Sequence, residues 1–504
     1  GNGATTRAAG TRKDNGNGGD GPLAHLVLVE IGLDYGGPDR YLLPLAYASG
    51  SRAEELDRWR PDAVVADLQC AGVDGVLYDA VYEPAFTTAV LEAIGSRRAL
   101  VGRGGRLSGD PAPAYRTLRN AIAPEVQPVP MSAEQSNTSV AVGDQVIVKY
   151  IRRVEEGVNP GVELGRFLGD RFPYAPRLAG SLQYRGAAPG GGPVTVASME
   201  EFVPNEGDGW SYVVDALVHG LEEALAHTAE EELRMLPPAN LLEAADAEPP
   251  LGHRLLGPHL QWASLLGGRT GELHLALTSD RVTPDLAPEP LTPVERQSLY
   301  HGARSLSRRV LRQLAGHAGR SLCVDLVLHR EEEIGQRLRA MSRLPIEAER
   351  IRCHGDYHLG QVLWTGKDFV VIDFEGEPSR SLGHRRLKRP APFDLAGMIR
   401  SFHYASQAAA MRLSRDLTAS FDAEALERWL TFWYRWVSGT FLRSYLQVVG
   451  PARFLPDDRG QLSGLLDFFL LEKAVYELGY EANSRPDWVD IPARGILDVL
   501  DAGP

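Results

Sequence analysis

Residues 351–378 read IRCHGDYHLGQVLWTGKDFVVIDFEGEP, a return to short strands after a mostly helical pattern that runs from about 211 to 345. VLWTG and KDFVVID predict two strands joined by a Thr-Gly-Lys turn, which leaves Asp373 at the end of a buried strand. His354, Asp356, His358, Gln361, Asp373, Glu375 and Glu377 crowd around this one apolar hairpin. Three chemistries share such a pattern. Asp356 and Gln361 are five positions apart, the offset between base Asp and metal-binding Asn in a kinase catalytic loop. H-x-D-x-H could instead gather zinc ligands, and a polar turn with satisfied imidazoles is the third reading.

Bulk properties narrow the field. At 504 residues the chain is long enough for two or three domains. An apolar fraction of 43% with 24% charged residues is that of an ordinary globular protein. The formal charge of −13 argues against a general nucleic-acid binder, whose affinity comes from Lys and Arg on phosphates. No apolar run reaches membrane-spanning length and no secretory signal opens the chain, so no membrane partner and a cytoplasmic location are expected. Cys70, Cys323 and Cys353 are far apart, with no CxxC, and are expected as reduced thiols.

The pattern along the chain divides it. Residues 1–21, rich in Gly and Asn, read as a disordered tail or linker, with no packed structure expected before Leu23. Residues 26–31 and 40–47 predict a hairpin and 76–95 a helical stretch, giving an α+β cap over 22–125. Residues 126–205 predict a mostly β intermediate subdomain with two strands around the Gly143-Asp144 turn. There Asn159-Pro160 supplies a helix N-cap followed by proline at the first helical position. Residues 206–504 read as mostly helical apart from the strands of 351–378.

A phosphoryl-transfer site also needs a cation on the nucleotide phosphates and an acid to hold it. Lys149 closes the apolar run VIVKY, and Glu163 follows one turn into the next helix. The order Lys, Glu, base loop, metal Asp is that of a kinase. Where a kinase has its Gly-rich loop, Ser136, Asn137, Thr138 and Ser139 predict a small polar turn whose N–H groups can cradle phosphate. Asp356 would accept the proton of the attacking hydroxyl, and Gln361 and Asp373 would hold Mg²⁺.

Taken together, EQSNTSV, VKYIRRVEEGVNPGVELGRFL, EFVPNEGDGW, GELHLAL, HGDYHLGQVL, VIDFEGEP, DLAGMIRSF and LEKAVYELGYEANSRPDWVDIPARGI resemble the bacterial maltokinases of the aminoglycoside-phosphotransferase-like superfamily. These phrases span 134–496. The resemblance implies a bilobal α+β protein-kinase-like fold, with an N-terminal cap, a mostly β intermediate subdomain and a helical C-lobe (206–504) carrying the catalytic loop and a sugar site, and ATP- and Mg²⁺-dependent phosphorylation of maltose at its anomeric hydroxyl for α-glucan synthesis. It implies Lys149 and Glu163 as the phosphate-binding pair, Asp356 as base, Gln361 and Asp373 as metal ligands, and Glu201, Phe202 and Val203 as the adenine hinge. Glu375 stands where the protein-kinase DFG has Gly, and is expected to aid metal or sugar placement.

Sugar binding calls for aromatic faces and polar groups, supplied by FWYRW (432–436) and EKAVYELGYEANSRPDW (472–488). The substrate-binding expectations are His354, Glu375, Glu472, Lys473, Tyr480, Asn483 and Arg485. Arg380 and the basic run 384–389 read as a solvated loop or an electrostatic aid. The Gly/Asn-rich start departs from the usual beginning of the maltokinase cap, and fits a truncated cap or a fusion to trehalose synthase, the expected partner. Because catalytic residues do not encode the acceptor, glucosamine or an aminoglycoside is the alternative substrate. A non-catalytic binding module and a zinc hydrolase are the rivals of other classes.

Overall fold

The computed structural model describes residues 7–9, 24–32, 38–70, 72–96, 99–131, 137–187, 191–227, 236–248, 256–317, 319, 321–416 and 423–502. It divides into two compact units, Gly1–Pro204 with Glu377–Arg385, and Asn205–Gly376 with Arg386–Pro504.

The first unit is built on two antiparallel sheets. β1 (Arg7–Ala9), β2 (Ala24–Ile31), β3 (Asp39–Ser49), β4 (Val64–Cys70) and β5 (Val73–Asp79) form one, in the order β1-β2-β3-β5-β4. Helix α1 (Ser51–Trp59) links β3 to β4, and α2 (Pro84–Ser96) follows β5. The second sheet holds β6 (Ala99–Val101), β7 (Gly105–Pro111), β8 (Pro128–Pro130), β9 (Asn137–Val142), β10 (Val146–Ile151), β11 (Leu178–Gly186) and β12 (Val194–Glu201), in the order β6-β7-β11-β12-β10-β9-β8. Helices α3 (Tyr115–Ala121) and α4 (Pro160–Leu168) interrupt this run. One core joins them: Val140, Val146, Val148, Val196 and Met199 pack with Leu42, Leu91 and Ile94. The sheets cut across the boundary drawn at 125/126, because β6 and β7 pair into the same sheet as β8–β12.

Three expectations need correction here. Residues 7–9, assigned to an unstructured tail, pair with β2 in the register Arg7↔Leu28; an edge strand offers unpaired N–H and C=O groups to any segment that reaches it. The expected helix at 76–95 begins as strand β5, since Val76 and Tyr78 are buried in alternation and pair with β3 and β4, and helix starts only at Pro84. Asn137, Thr138 and Ser139 are not a turn but the start of β9, with Ser139 opposite Lys149. Thr138 lies opposite Tyr150 and Asn137 opposite Ile151, and Thr138 Oγ1 accepts from Arg152 Nε at 2.9 Å. Ser136 lies outside the described residues.

The second unit is helical, with two small two-stranded antiparallel sheets. Its elements are α5 (Gly209–His227), α6 (Leu241–Asp246), α7 (Gly257–Leu277), β13 (Glu289–Pro290), α8 (Pro293–Leu314), α9 (Leu322–His329), α10 (Glu331–Arg343), β14 (Glu349–Arg350), β15 (Val362–Trp364), β16 (Phe369–Val371), α11 (Pro392–Asp416), α12 (Ala423–Val449), α13 (Arg459–Ser484) and α14 (Asp490–Asp501). The hairpin expected around Thr-Gly-Lys is β15–β16, paired Val362↔Val371. Trp262, Phe402 and Trp433 meet at 5.7 and 6.3 Å in the core shared by α7, α11 and α12. Among the described residues no helix is long and apolar enough to cross a membrane.

Candidate active site

The loop 354–361 is held from below before it offers anything to a ligand. Asp394, in the first turn of α11, is wholly buried and accepts the N–H groups of His354 at 2.7 Å and Gly355 at 3.0 Å. His274 Nε2 lies 3.2 Å from the same carboxylate, with Tyr445 Oη 2.9 Å from its other ring nitrogen. Burial pushes the Asp394 carboxyl up, but the His274 hydrogen bond and the surrounding imidazole and amide groups hold it below the usual range. Tyr357 Oη meets Thr270 Oγ1 at 2.9 Å, and Leu359 N–H donates to Ser401 Oγ at 3.1 Å. Gly397 lets α11 come this close, since a Cβ there would stand 2.5 Å from the Tyr357 carbonyl oxygen.

His354 is part of that scaffold, which corrects its place among the substrate ligands. It is 1% exposed, its Nε2 donates to the Ile372 carbonyl at 2.8 Å, and its Nδ1 accepts the Asp356 N–H at 3.4 Å. With both nitrogens engaged it cannot ligate zinc either, so the H-x-D-x-H reading loses one of its three ligands.

What the loop presents is Asp356. Its side chain is 16% exposed, His358 Nε2 lies 3.8 Å from Oδ2, and Lys473 Nζ on α13 lies 4.0 Å from Oδ1. Packing around the His358 ring lowers its pKa, against the pull of the Asp356 carboxylate. Beyond the loop, Gln361 Nε2 is 3.4 Å from Asp373 Oδ2. Among the described residues Asp373 is the one non-glycine with positive φ, at 63°. That conformation costs of order 1–3 kcal/mol and concentrates at functional sites. The amide donates to the carboxylate here; turned so that Oε1 faces the same side, the pair would offer two oxygens to a hard cation such as Mg²⁺. Glu375 follows, half-buried.

α13 divides the remaining sugar-site expectations. Glu472 is half-buried beside Lys473, whose ammonium also lies 5.2 Å from the centre of the Tyr476 ring. Tyr480 is 51% exposed, with the Arg485 guanidinium 5.8 Å from its ring centre. Arg485 Nε and Nη2 bond the buried Glu481 carboxylate at 2.9 and 2.6 Å. Asn483 donates to the Gly479 carbonyl and accepts from Gln313 Nε2 at 2.7 Å. Asn483 and Arg485 thus tie down the end of the helix, about 15–18 Å of helical rise beyond Lys473.

The residues expected on the nucleotide side lie in the first unit. Lys149 sits within β10, facing Ser139 and Ser198 across the ladder, on the opposite face from buried Val146, Val148 and Tyr150. Glu163 is in the first turn of α4, whose Asn159 cap accepts the Val162 N–H at 3.0 Å with Pro160 next to it. In the expected hinge, the Glu201 N–H donates to Arg177 and the Phe202 N–H to Gln145, so two of the three N–H groups serve the sheet. The Glu201 carboxylate is bound by Arg177 at 2.8 Å; Val203 is half-buried.

Four residues of the basic run 384–389 have partners within the protein. Arg385 bonds Glu155 at 2.6 Å, Arg386 pairs with Asp285 at 3.1 Å, Lys388 with Glu289 at 2.5 Å, and Arg389 lies over Phe393.

This geometry can be set beside known proteins. Residues 224–376 match the model of the phosphotransferase enzyme family. That match contains Asp356, Gln361 and Asp373. A glucosamine kinase from Mycolicibacterium smegmatis is 26% identical over 384 residues, covering 74% of this chain and 80% of that protein. One from Streptacidiphilus jiangxiensis is 26% identical over 373 residues, 73% and 72% of the two. A solved glucosamine kinase in complex with glucosamine, ADP and inorganic phosphate superposes with a TM-score of 0.61 at 19% identity, covering 96% of this chain and 91% of that one. A second crystal form gives 0.62 at 20%, with coverage of 96% and 92%. At such identities the likeness establishes the fold, which is bilobal and protein-kinase-like. The comparisons therefore support the maltokinase resemblance in its fold and in its likeness to the phosphotransferase enzyme family, while the relatives carry glucosamine in their names.

Sequence reasoning passed over Asp394, His274 and Tyr445. An acid in a helix's first turn is an ordinary signal, and His274 and Tyr445 lie 120 and 51 residues from it, on other helices.

Proposed function

We propose that the chain transfers the γ-phosphoryl group of ATP to a hydroxyl of a small amino sugar, with glucosamine the first candidate. The observation that carries this reading is Asp356, held between His358 and Lys473, on the loop that also bears Gln361, 3.4 Å from Asp373. Asp356 takes the hydroxyl proton as the oxygen attacks phosphorus, and ADP leaves with the electrons of the broken P–O bond. Gln361 and Asp373 would hold Mg²⁺, which supplies charge neutralisation when bound. Lys149, steadied by Glu163, serves the nucleotide phosphates in the same role a β-strand lysine has in kinases.

Support for an amino sugar over maltose comes from the two relatives at 26% identity. The chemistry is compatible, because an ammonium substituent needs a carboxylate partner, and Glu375 and Glu472 lie next to the elements that carry Asp373 and Lys473. Trehalose synthase, the partner implied by the maltokinase resemblance, belongs with the maltose outcome. The test is ATP consumption with glucosamine, maltose, glucose and an aminoglycoside in parallel. Glucosamine should give the highest kcat/KM, at least about tenfold above the others, as expected when a site's polar partner goes unmatched. Maltose ahead of glucosamine restores the disaccharide, and no turnover with any acceptor leaves a binding module.

A further inference from the structure

We infer that His358 is a positioning residue for Asp356, acting through a ring whose Nδ1 is pinned by Gly360 and whose Nε2 faces the carboxylate. The inference rests on the reading of Asp356 as the base. It begins in the backbone: His358 caps the 3₁₀ turn Leu359–Gln361, and the Gly360 N–H donates to its Nδ1 at 3.1 Å. A ring nitrogen that accepts a hydrogen bond carries no proton, so the neutral ring bears its N–H on Nε2. That atom is 3.8 Å from Asp356 Oδ2, while Lys473 Nζ is 4.0 Å from Oδ1. Each carboxylate oxygen therefore faces its own donor. Both spans exceed a hydrogen bond, as catalytic contacts commonly do before substrate binds and closes them.

The demand for such a device is physical. The terminal torsion of an aspartate is broad, so an unrestrained carboxylate presents its lone pair to a hydroxyl only part of the time. A donor directed at one oxygen narrows that range. Gly360 belongs to the device, because a Cβ there would stand 3.0 Å from His358 Cε1 and 3.1 Å from Nδ1. Alanine at 360 would push the ring while leaving its chemistry in place. The two imidazoles of the loop therefore play different parts, His354 holding the backbone and His358 aiming the base.

His358→Ala, His358→Gln and Gly360→Ala, compared with the wild type, test this. His358→Ala should lower kcat by about 10–100-fold, with KM for ATP within about twofold. Gly360→Ala should lower kcat less, and His358→Gln should recover part of the loss by donating an amide N–H toward Asp356. An unchanged kcat in a folded His358→Ala variant overturns the inference. A second measurement is independent of turnover and of the acceptor: ¹⁵N shifts of the His358 ring should report the Nε2–H tautomer, and an Nδ1–H tautomer overturns it. A wild type inactive on every acceptor would count against the proposed function, while the ring shifts would still decide the role of His358.

Discussion

Asp394 and Asp356 are two carboxylates of one loop, the first gripping its backbone and the second carried on it. Asp394 has no exposure and meets two backbone N–H groups and an imidazole. Asp356 keeps some exposure, with His358 Nε2 and the Lys473 ammonium 3.8 and 4.0 Å from its two oxygens. A buried charge survives folding only if its lone pairs are satisfied, so a structural carboxylate collects donors until none is missing. One that must accept a proton from a substrate has to keep lone pairs in reserve. The neighbouring Asp373, with its positive φ, shows the same tendency for local rules to be broken where chemistry is done.

Three substitutions would break or sharpen this contrast. Asp356→Asn should lower kcat by about 10²–10⁴-fold, the usual contribution of a general base, while the melting temperature stays near that of the wild type. A variant that melts much earlier would place Asp356 with the structural carboxylates. Asp394→Ala should do the reverse first, costing about 3–5 kcal/mol in urea unfolding because two buried N–H groups lose their acceptor. Unchanged stability there would mean the loop stands without its anchor.

Asp467, on α13, asks whether a half-buried carboxylate with few partners is enough to mark a functional site. Burial pushes its pKa up to about 6, with Arg337 pulling the other way. The folded state thus binds the proton more tightly than the unfolded chain, whose aspartates titrate near about 4. The stability this group contributes is full below about pH 4 and is lost as pH rises through about 6. Asp467→Asn should therefore be more stable than the wild type at pH 8 by on the order of 2 kcal/mol, with the gap closing below about pH 4. Its turnover should match the wild type. Equal pH profiles of unfolding in the two proteins would remove the premise.

Much of the fold could be read from local pattern. Alternation in VIVKY and the Asn159-Pro160 start of α4 are nearest-neighbour signals, and the structure keeps them at β10 and α4. So is the β15–β16 hairpin that carries Asp373. Misreadings fell where one residue pattern supports two partners. VLYDAVYEPAF looks helical until β3 and β4 claim its first half as a strand. The polar residues 137–139 look like a turn until β10 pairs with them. On α13 the helical stripe does place Lys473 near Asp356, but Asn483 and Arg485 are committed to Gln313 and Glu481.

By itself, then, the sequence determined the short-range parts: the Asp356–Gln361 offset, the strand-borne Lys149, the hairpin ending at Asp373 and the order in which they come. Those depend on spacing within one element, where covalent geometry leaves few alternatives. The tertiary structure alone decided which polar groups are used up. Asp394, His274 and Tyr445 converge from three helices to hold the loop, His354 is consumed by Asp394 and Ile372, and His358 is turned toward Asp356. Whether a donor is spent on the fold or saved for a ligand depends on what lies across the core, and residues distant in sequence settle that.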